Sequence, residues 1–141
     1  MEKKDLLKDV IKHIDIKSYN STELVDAMRN MSFTSRDTAR AADILMMMCK
    51  EKECTNILTL AGSTSAAGCM QVYVDMVRNK MIDVVVATGA SIIDMDLFEA
   101  LGYKHYIGEK ENVIPDTTLR DLYIDRIYDT YIDEEELQAC D

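Results

Sequence analysis

What this chain lacks narrows its class before any motif is read. No apolar run approaches the roughly 20 residues that a bilayer-spanning helix needs, and the opening residues MEKKDLLKDVIKHIDIK alternate charge with Leu, Val and Ile where a signal peptide would show an apolar core. A cytoplasmic protein with no membrane partner is predicted. Basic residues are in deficit, with 16 Lys and Arg against 26 Asp and Glu and a formal net charge of −10. That balance argues against nucleic acid, whose phosphates demand Lys and Arg; it permits a polycationic partner, although solubility is the simpler reading of a dispersed acidic surface. Cys49, Cys54, Cys69 and Cys140 form no CxxC pair, which makes a zinc site improbable and reduced thiols the expectation. His13 and His105 have no second ligand at helical or hairpin spacing, so no metal is predicted and each reads as a surface or satisfied histidine. There is no Pro/Gly/Ser-rich linker and no internal repeat.

What remains is the balance of a globular domain. The 141 residues are 48% hydrophobic and 30% charged, enough for one real core. All the glycines fall between Gly62 and Gly108, which concentrates tight backbone chemistry in one region.

Within that region, residues 56–96 read as strand, turn, helix, strand, turn. Asn56 to Ala61 is a short apolar run, Gly62 to Gly68 supplies turn residues, and Val72, Tyr73, Met76 and Val77 recur at helical spacing between Met70 and Arg78. Ile82 to Ala87 is again nearly continuous apolar sequence. Two such strands joined by a helix form a parallel βαβ unit, with a right-handed crossover at about Ala66–Arg78. The crevice outside the carboxyl ends of its strands is where α/β sheets bind ligands.

The flanking sequence is expected to be mostly helical. Glu2 to Ile14 presents an amphipathic pattern on Leu6, Leu7, Val10, Ile11 and Ile14, and Ser21 or Thr22 is placed to cap a helix through Met28. A longer helix follows from Ser32 or Thr34, with Ala41, Ile44, Leu45 and Met48 as its apolar stripe. Downstream, Asp94 or Asp96 is expected to cap a short helix ending at Gly102, and Tyr103 to Ile107 reads as a third strand. Glu109 to Thr117 is a polar loop holding the single proline, Pro115. A helix over Thr118–Asp129 is predicted from Leu119, Leu122, Tyr123 and Ile127, and Asp133 caps a last helix that stops after barely two turns, which suggests truncation. The resulting organisation is a helical scaffold at 1–54, a βαβ core at 55–108 and a helical extension at 109–141.

Four segments carry a family resemblance: AGSTSAAG (Ala61 to Gly68), NKMIDVVVATGAS (Asn79 to Ser91), DLFEALGYKHYIG (Asp96 to Gly108) and DLYIDRIYDTYIDEEEL (Asp121 to Leu137). Together they resemble the amino-terminal part of deoxyhypusine synthases, closest to the bacterial and archaeal deoxyhypusine synthase-like branch. The helix with Phe33, Arg40 and Ala41 fits the family's upstream helix, so nearly the whole chain is covered.

That resemblance implies an α/β fold with a Rossmann-like, three-layer parallel sheet, here incomplete, and an oligomer or a complementing chain. It implies an NAD-dependent transferase that oxidises spermidine, passes the aminobutyl group through an imine on an enzyme lysine, and delivers it to a lysine of a translation factor, forming deoxyhypusine. In the like-branch the acceptor can instead be a small amine, giving homospermidine or guanidinylated polyamines, and a non-catalytic assembly partner of a full-length paralogue is a further reading. By position, Gly62, Ser63, Thr64 and Ala66 match the first cofactor-contacting loop, Thr88, Gly89 and Ala90 the second, and Asp94 lies near an acidic cofactor contact. The first loop lacks the Ser-Asn pair common in true deoxyhypusine synthases, and the spacing after Thr88 departs by a residue. The family's catalytic lysine has no counterpart here, so no catalytic residue is assigned, and Lys80, Lys104 and Lys110 are not candidates, since sequence shows neither burial nor a cationic neighbour to activate them.

Overall fold

A computed structural model describes residues 1–108 and 114–140. In chain order the elements are α1 (Lys3–Leu6), α2 (Thr22–Met28), α3 (Phe33–Lys50), β1 (Ile57–Leu60), a wide helical turn (Ser65–Cys69) leading into α4 (Met70–Arg78), and β2 (Val84–Ala87). Then α5 (Gly89–Ser91), a π-helical stretch (Ile92–Leu97) and α6 (Phe98–Ala100) follow without a break, and β3 (His105–Ile107), α7 (Asp116–Asp121), β4 (Ile124–Ile127), β5 (Thr130–Asp133) and α8 (Glu134–Cys140) complete the chain. The fold is mixed α/β with two separate sheets.

The βαβ unit is present. Val84 N donates to Asn56 O at 3.2 Å and Thr88 N to Leu60 O at 3.2 Å, so both strands advance in the same direction and the pair is parallel, with α4 between them in sequence. The third strand does not extend this pair. It joins an antiparallel sheet of order β3-β5-β4, in which Tyr106 faces Tyr131 and Arg126 faces the same Tyr131 from the other side.

The chain divides into two compact units. The hairpin unit comprises Met1–Ile14, Leu60–Gln71 and Ala87–Asp141, and its core gathers Leu6, Ile114, Leu119, Ile124 and Tyr131. The central strand β5 buries Thr130, Tyr131 and Ile132. Asp133 ends it and begins α8, its Oδ1 accepting from Glu135 N at 3.0 Å and Glu136 N at 3.2 Å and from Lys3 Nζ at 2.6 Å, so the expected cap forms. The helical unit comprises Asp15–Thr59 and Val72–Val86 and carries α2, α3, most of α4 and the greater part of both parallel strands. Within it Lys17 Nζ donates to Asp75 Oδ1 at 2.7 Å, and Asn56 is tied to the start of β2 through Asp83 Oδ2 at 2.8 Å and Met81 O at 3.0 Å.

Several local expectations are corrected. The helix over Thr118–Asp129 is replaced by α7, which begins at Asp116, and by β4. The reason is that Tyr123 adopts a left-handed φ of 55° that ends the helix, and the β-branched Ile124, Ile127, Thr130 and Ile132 gain more from pairing across a hairpin than from helical spacing. The helix over Glu2–Ile14 stops at Leu6. Beyond it Val10 bridges Tyr106, Ile107 N donates to Asp9 O at 2.7 Å and Ile11 N to His105 O at 2.8 Å, because the open edge of β3 offers the segment backbone partners. Asp94 and Asp96 cap no helix, since the helical run already starts at Gly89 with Thr88 as its N-cap. Of the expected polar loop, residues 109–113, including Lys110, lie outside the described residues, and Pro115 serves as the N-cap of α7.

Candidate functional site

All eight candidate residues fall in the hairpin unit, at or just beyond the carboxyl ends of β1 and β2. After β1 the chain bends at Gly62, which has a φ of +79°, and enters the wide turn Ser65–Cys69. Gly68 closes that turn at a φ of +93°, where a Cβ would stand 3.0 Å from Lys12 O, so only glycine satisfies both the dihedral and the approach of the N-terminal segment. After β2, Thr88 is extended and the helical run begins.

Ser91 joins the two turns. Its side chain is buried, and its Oγ donates to Gly62 O at 2.9 Å while lying 3.2 Å from Thr88 Oγ1. With Thr88 N on Leu60 O, the two loops become one backbone surface. Thr64, Thr88, Gly89 and Ala90 are exposed on it, Ser63 is half-buried, and Ala66 is packed inside, leaving only its backbone available. Asp94 sits one turn further along the helical run, half-buried, with no hydrogen bond or ion pair from its carboxylate among the described residues. Ser91 was legible in the sequence only as a turn residue; its role depends on the carbonyl of Gly62, 29 residues away.

A second constellation was not legible at all. The carboxylate of Glu99, at the far end of the same helical run, holds both histidines of the chain. His105 Nδ1 is 2.6 Å from Glu99 Oε1, and His13 Nε2 bonds Glu99 Oε2. His105 is fully buried, edge-on to Phe98 at 5.2 Å between centroids, and Phe98 stacks on Tyr103 at 5.0 Å. Burial works to raise the pKa of Glu99, but the hydrogen bonds from His105 and His13 and their charges outweigh it and hold the carboxyl below its ordinary value. Each ring is satisfied at one nitrogen, while His13 Nδ1 and His105 Nε2 are buried without a partner among the described residues. This array ties the helix that carries Asp94 to β3 and to the N-terminal segment. Among the described residues no three His, Cys, Asp or Glu side chains are grouped to hold a metal ion, and no helix is long and apolar enough to cross a membrane.

Parallel strands whose carboxyl ends carry joined small-residue turns, one leading through a wide turn into the crossover helix, mark the chain as an α/β protein. The chain belongs to the deoxyhypusine synthase family, whose profile matches residues 23–141. It is 64% identical over 140 residues to a deoxyhypusine synthase-like protein of Caulobacter vibrioides, covering 99% of this chain and 38% of that protein. To the deoxyhypusine synthase-like protein of Coxiella burnetii it is 58% identical over 139 residues, covering 99% and 39%. To probable deoxyhypusine synthase 2 of Methanosarcina acetivorans it is 38% identical over 128 residues, covering 91% and 36%. The chain therefore spans about two fifths of the length of these curated relatives.

Proposed function

We propose that this chain is the cofactor-side segment of a deoxyhypusine synthase-like, NAD-dependent transferase that moves an aminobutyl group from spermidine to a lysine of a translation factor. The observation that carries the reading is the Ser91 bridge, which turns the two loops matched to the family's cofactor contacts into a single surface. The residues fit such a group. A Cβ at Gly62 or at Gly89 would meet nothing within 4 Å, so a ligand can come against bare backbone at both turns, and Ser65 keeps a buried hydroxyl with no partner among the described residues. Gly62, Ser63, Thr64 and Ala66 would hold the cofactor from the first loop and Thr88, Gly89 and Ala90 from the second, with Asp94 accepting from a ribose hydroxyl. When bound, NAD supplies the hydride acceptor. The residues of this chain bind and orient; the lysine that would carry the aminobutyl group belongs to the remainder of the enzyme.

A completed Rossmann-like, three-layer sheet is part of the same proposal. Parallel strands are ordinarily covered on both faces, whereas Val84, Val85 and Val86 are 42%, 41% and 54% exposed and Ile57 is 56% exposed. A complementing segment or a further subunit, in a cytoplasmic oligomer, covers them. A small amine as acceptor is the second reading, favoured by the higher identity to the deoxyhypusine synthase-like proteins than to the probable deoxyhypusine synthase.

Calorimetry with NAD and a spermidine-cleavage assay test the proposal. The chain alone should bind NAD weakly, if at all, and turn nothing over, because half a cleft leaves a ligand exposed on one side. Supplying the missing segment should restore cleavage, and the acceptor that gains the aminobutyl group, protein lysine or small amine, decides between the two readings. Robust turnover by the isolated chain would sink the half-site proposal.

A further inference from the structure

We infer that Tyr128, at the tip of the β4–β5 hairpin, is a ring-stacking residue for the ligand of the Ser63–Thr64 loop, taking a planar heteroaromatic ring of a nucleotide on its face; this rests on the cofactor reading above. A cavity of about 230 Å3 in the hairpin unit has Ser63, Thr64, Ala66 and Ala67 on one side and residues 127–130 on the other. Anything held by the first loop on that side therefore meets the hairpin turn. Tyr128 is the first of two residues between the paired Ile127 and Thr130, and its φ is 54°, a conformation that glycine adopts freely and that crowds the Cβ of any other residue. Tyr128 is 90% exposed. The two-residue hairpin turn calls for the positive φ, but glycine would meet it without strain, so the turn leaves the choice of an exposed tyrosine unexplained, and a strained residue of that kind is a starting point for a functional role.

The turn is also held in place. Gly108 N donates to Asp129 O at 2.6 Å, and a Cβ at Gly108 would stand 2.9 Å from two atoms of the Tyr131 ring and 3.0 Å from Asp129 O, so the backbone beneath the hairpin is locked close. The small side chains of Ala66 and Ala67 leave room for a flat group, the hydroxyls of Ser63 and Thr64 can bond its polar edge, and the aromatic face of Tyr128 suits a base or a nicotinamide ring.

The test is a titration of the chain, its tyrosine rings labelled for NMR, with NAD, and separately with AMP and nicotinamide mononucleotide. The Tyr128 ring signal should move saturably with NAD and with one of the two mononucleotides, which identifies the ring that stacks. Tyr128→Gly should weaken NAD binding about tenfold without lowering the melting temperature, since glycine suits the dihedral, while Tyr128→Phe should keep affinity within about twofold by preserving the face. Saturable NAD binding that is equally strong in Tyr128→Gly overturns the stacking role and leaves the cofactor reading standing. If none of the three ligands binds at millimolar concentration, either to the chain alone or to the chain supplied with the complementing segment, the cofactor reading and this inference fall together.

Discussion

The two units of this chain have similar apolar sequence and opposite fates for it. In the hairpin unit, Phe98, Leu119, Ile124, Tyr131 and Met95 are all at most 3% exposed. In the helical unit, the residues that reach full burial are Ala39, Asn56 and Asp75, while Leu24, Ile44, Met46, Met47 and the three valines of β2 remain in large part open. The difference teaches that secondary structure and stability are separable here. The helical unit has good helices and a correctly paired strand couple but little core, and two strands alone are marginal in water. That exposed apolar surface is what the complementing segment of the proposal would cover.

The largest expected effect breaks the comparison directly. Phe98→Ala removes a fully buried ring and should destabilise the hairpin unit by about 3–5 kcal/mol, whereas Val85→Ala, on the open strand, should cost less than about 0.5 kcal/mol in the isolated chain. Urea denaturation followed by hydrogen exchange reads both. Equal losses would show that the valines of β2 are already buried in solution. If a complementing segment covers β2 as proposed, adding it should raise the Val85→Ala penalty, and that rise would measure the cover.

A middle-sized effect concerns the one charged group buried in the hairpin unit between two imidazoles. Glu99 has a folded pKa below its unfolded one, so its contribution is present in full above the ordinary carboxylate range and is lost as pH falls through the lower folded value. Glu99→Gln should therefore cost about 2 kcal/mol near neutrality, and the gap between variant and parent should close as the pH drops below about 4. Denaturant midpoints across that range provide the measurement. A gap that stays constant into acid would mean that the amide fails for reasons of shape, not charge.

The same contrast explains what could be read from sequence. The βαβ unit was legible because its signals are local: apolar runs in Ile57–Leu60 and Val84–Ala87, small residues between, and helical spacing from Met70 to Arg78. The cap at Asp133 was legible for the same reason. The β4–β5 hairpin was not, since Leu119, Leu122, Tyr123 and Ile127 satisfy helical spacing, and what overrules them is the pairing of β4 with β5, which is itself held on its other side by β3, where Ile107 faces Thr130. His13, Glu99 and His105 share no spacing that marks them as partners; a strand-like N-terminal segment against β3 is needed before they meet. The candidate loops were located by resemblance, and the bridge between them, Ser91 to Gly62, is a contact between turns that no periodicity encodes.

The smallest expected effect on stability carries the most information about function. Asp94 lies inside a helical run begun by Thr88 and Gly89, so capping no longer explains it, and its carboxylate has no partner among the described residues. Asp94→Asn should then change the melting free energy by no more than about 0.5 kcal/mol, because the amide fills the same half-buried space and no ion pair is lost. NAD affinity of the completed enzyme should fall by about tenfold, the worth of one charge-assisted hydrogen bond to a ribose hydroxyl. Calorimetry on parent and variant separates the outcomes: a selective loss of NAD binding ties Asp94 to the cofactor edge, and unchanged affinity leaves that edge to backbone and hydroxyls alone. Because Glu99 fixes the other end of the same run, Glu99→Gln should weaken NAD binding less than Asp94→Asn while costing more stability. A reversal of that order would place the cofactor's carboxylate contact at Glu99.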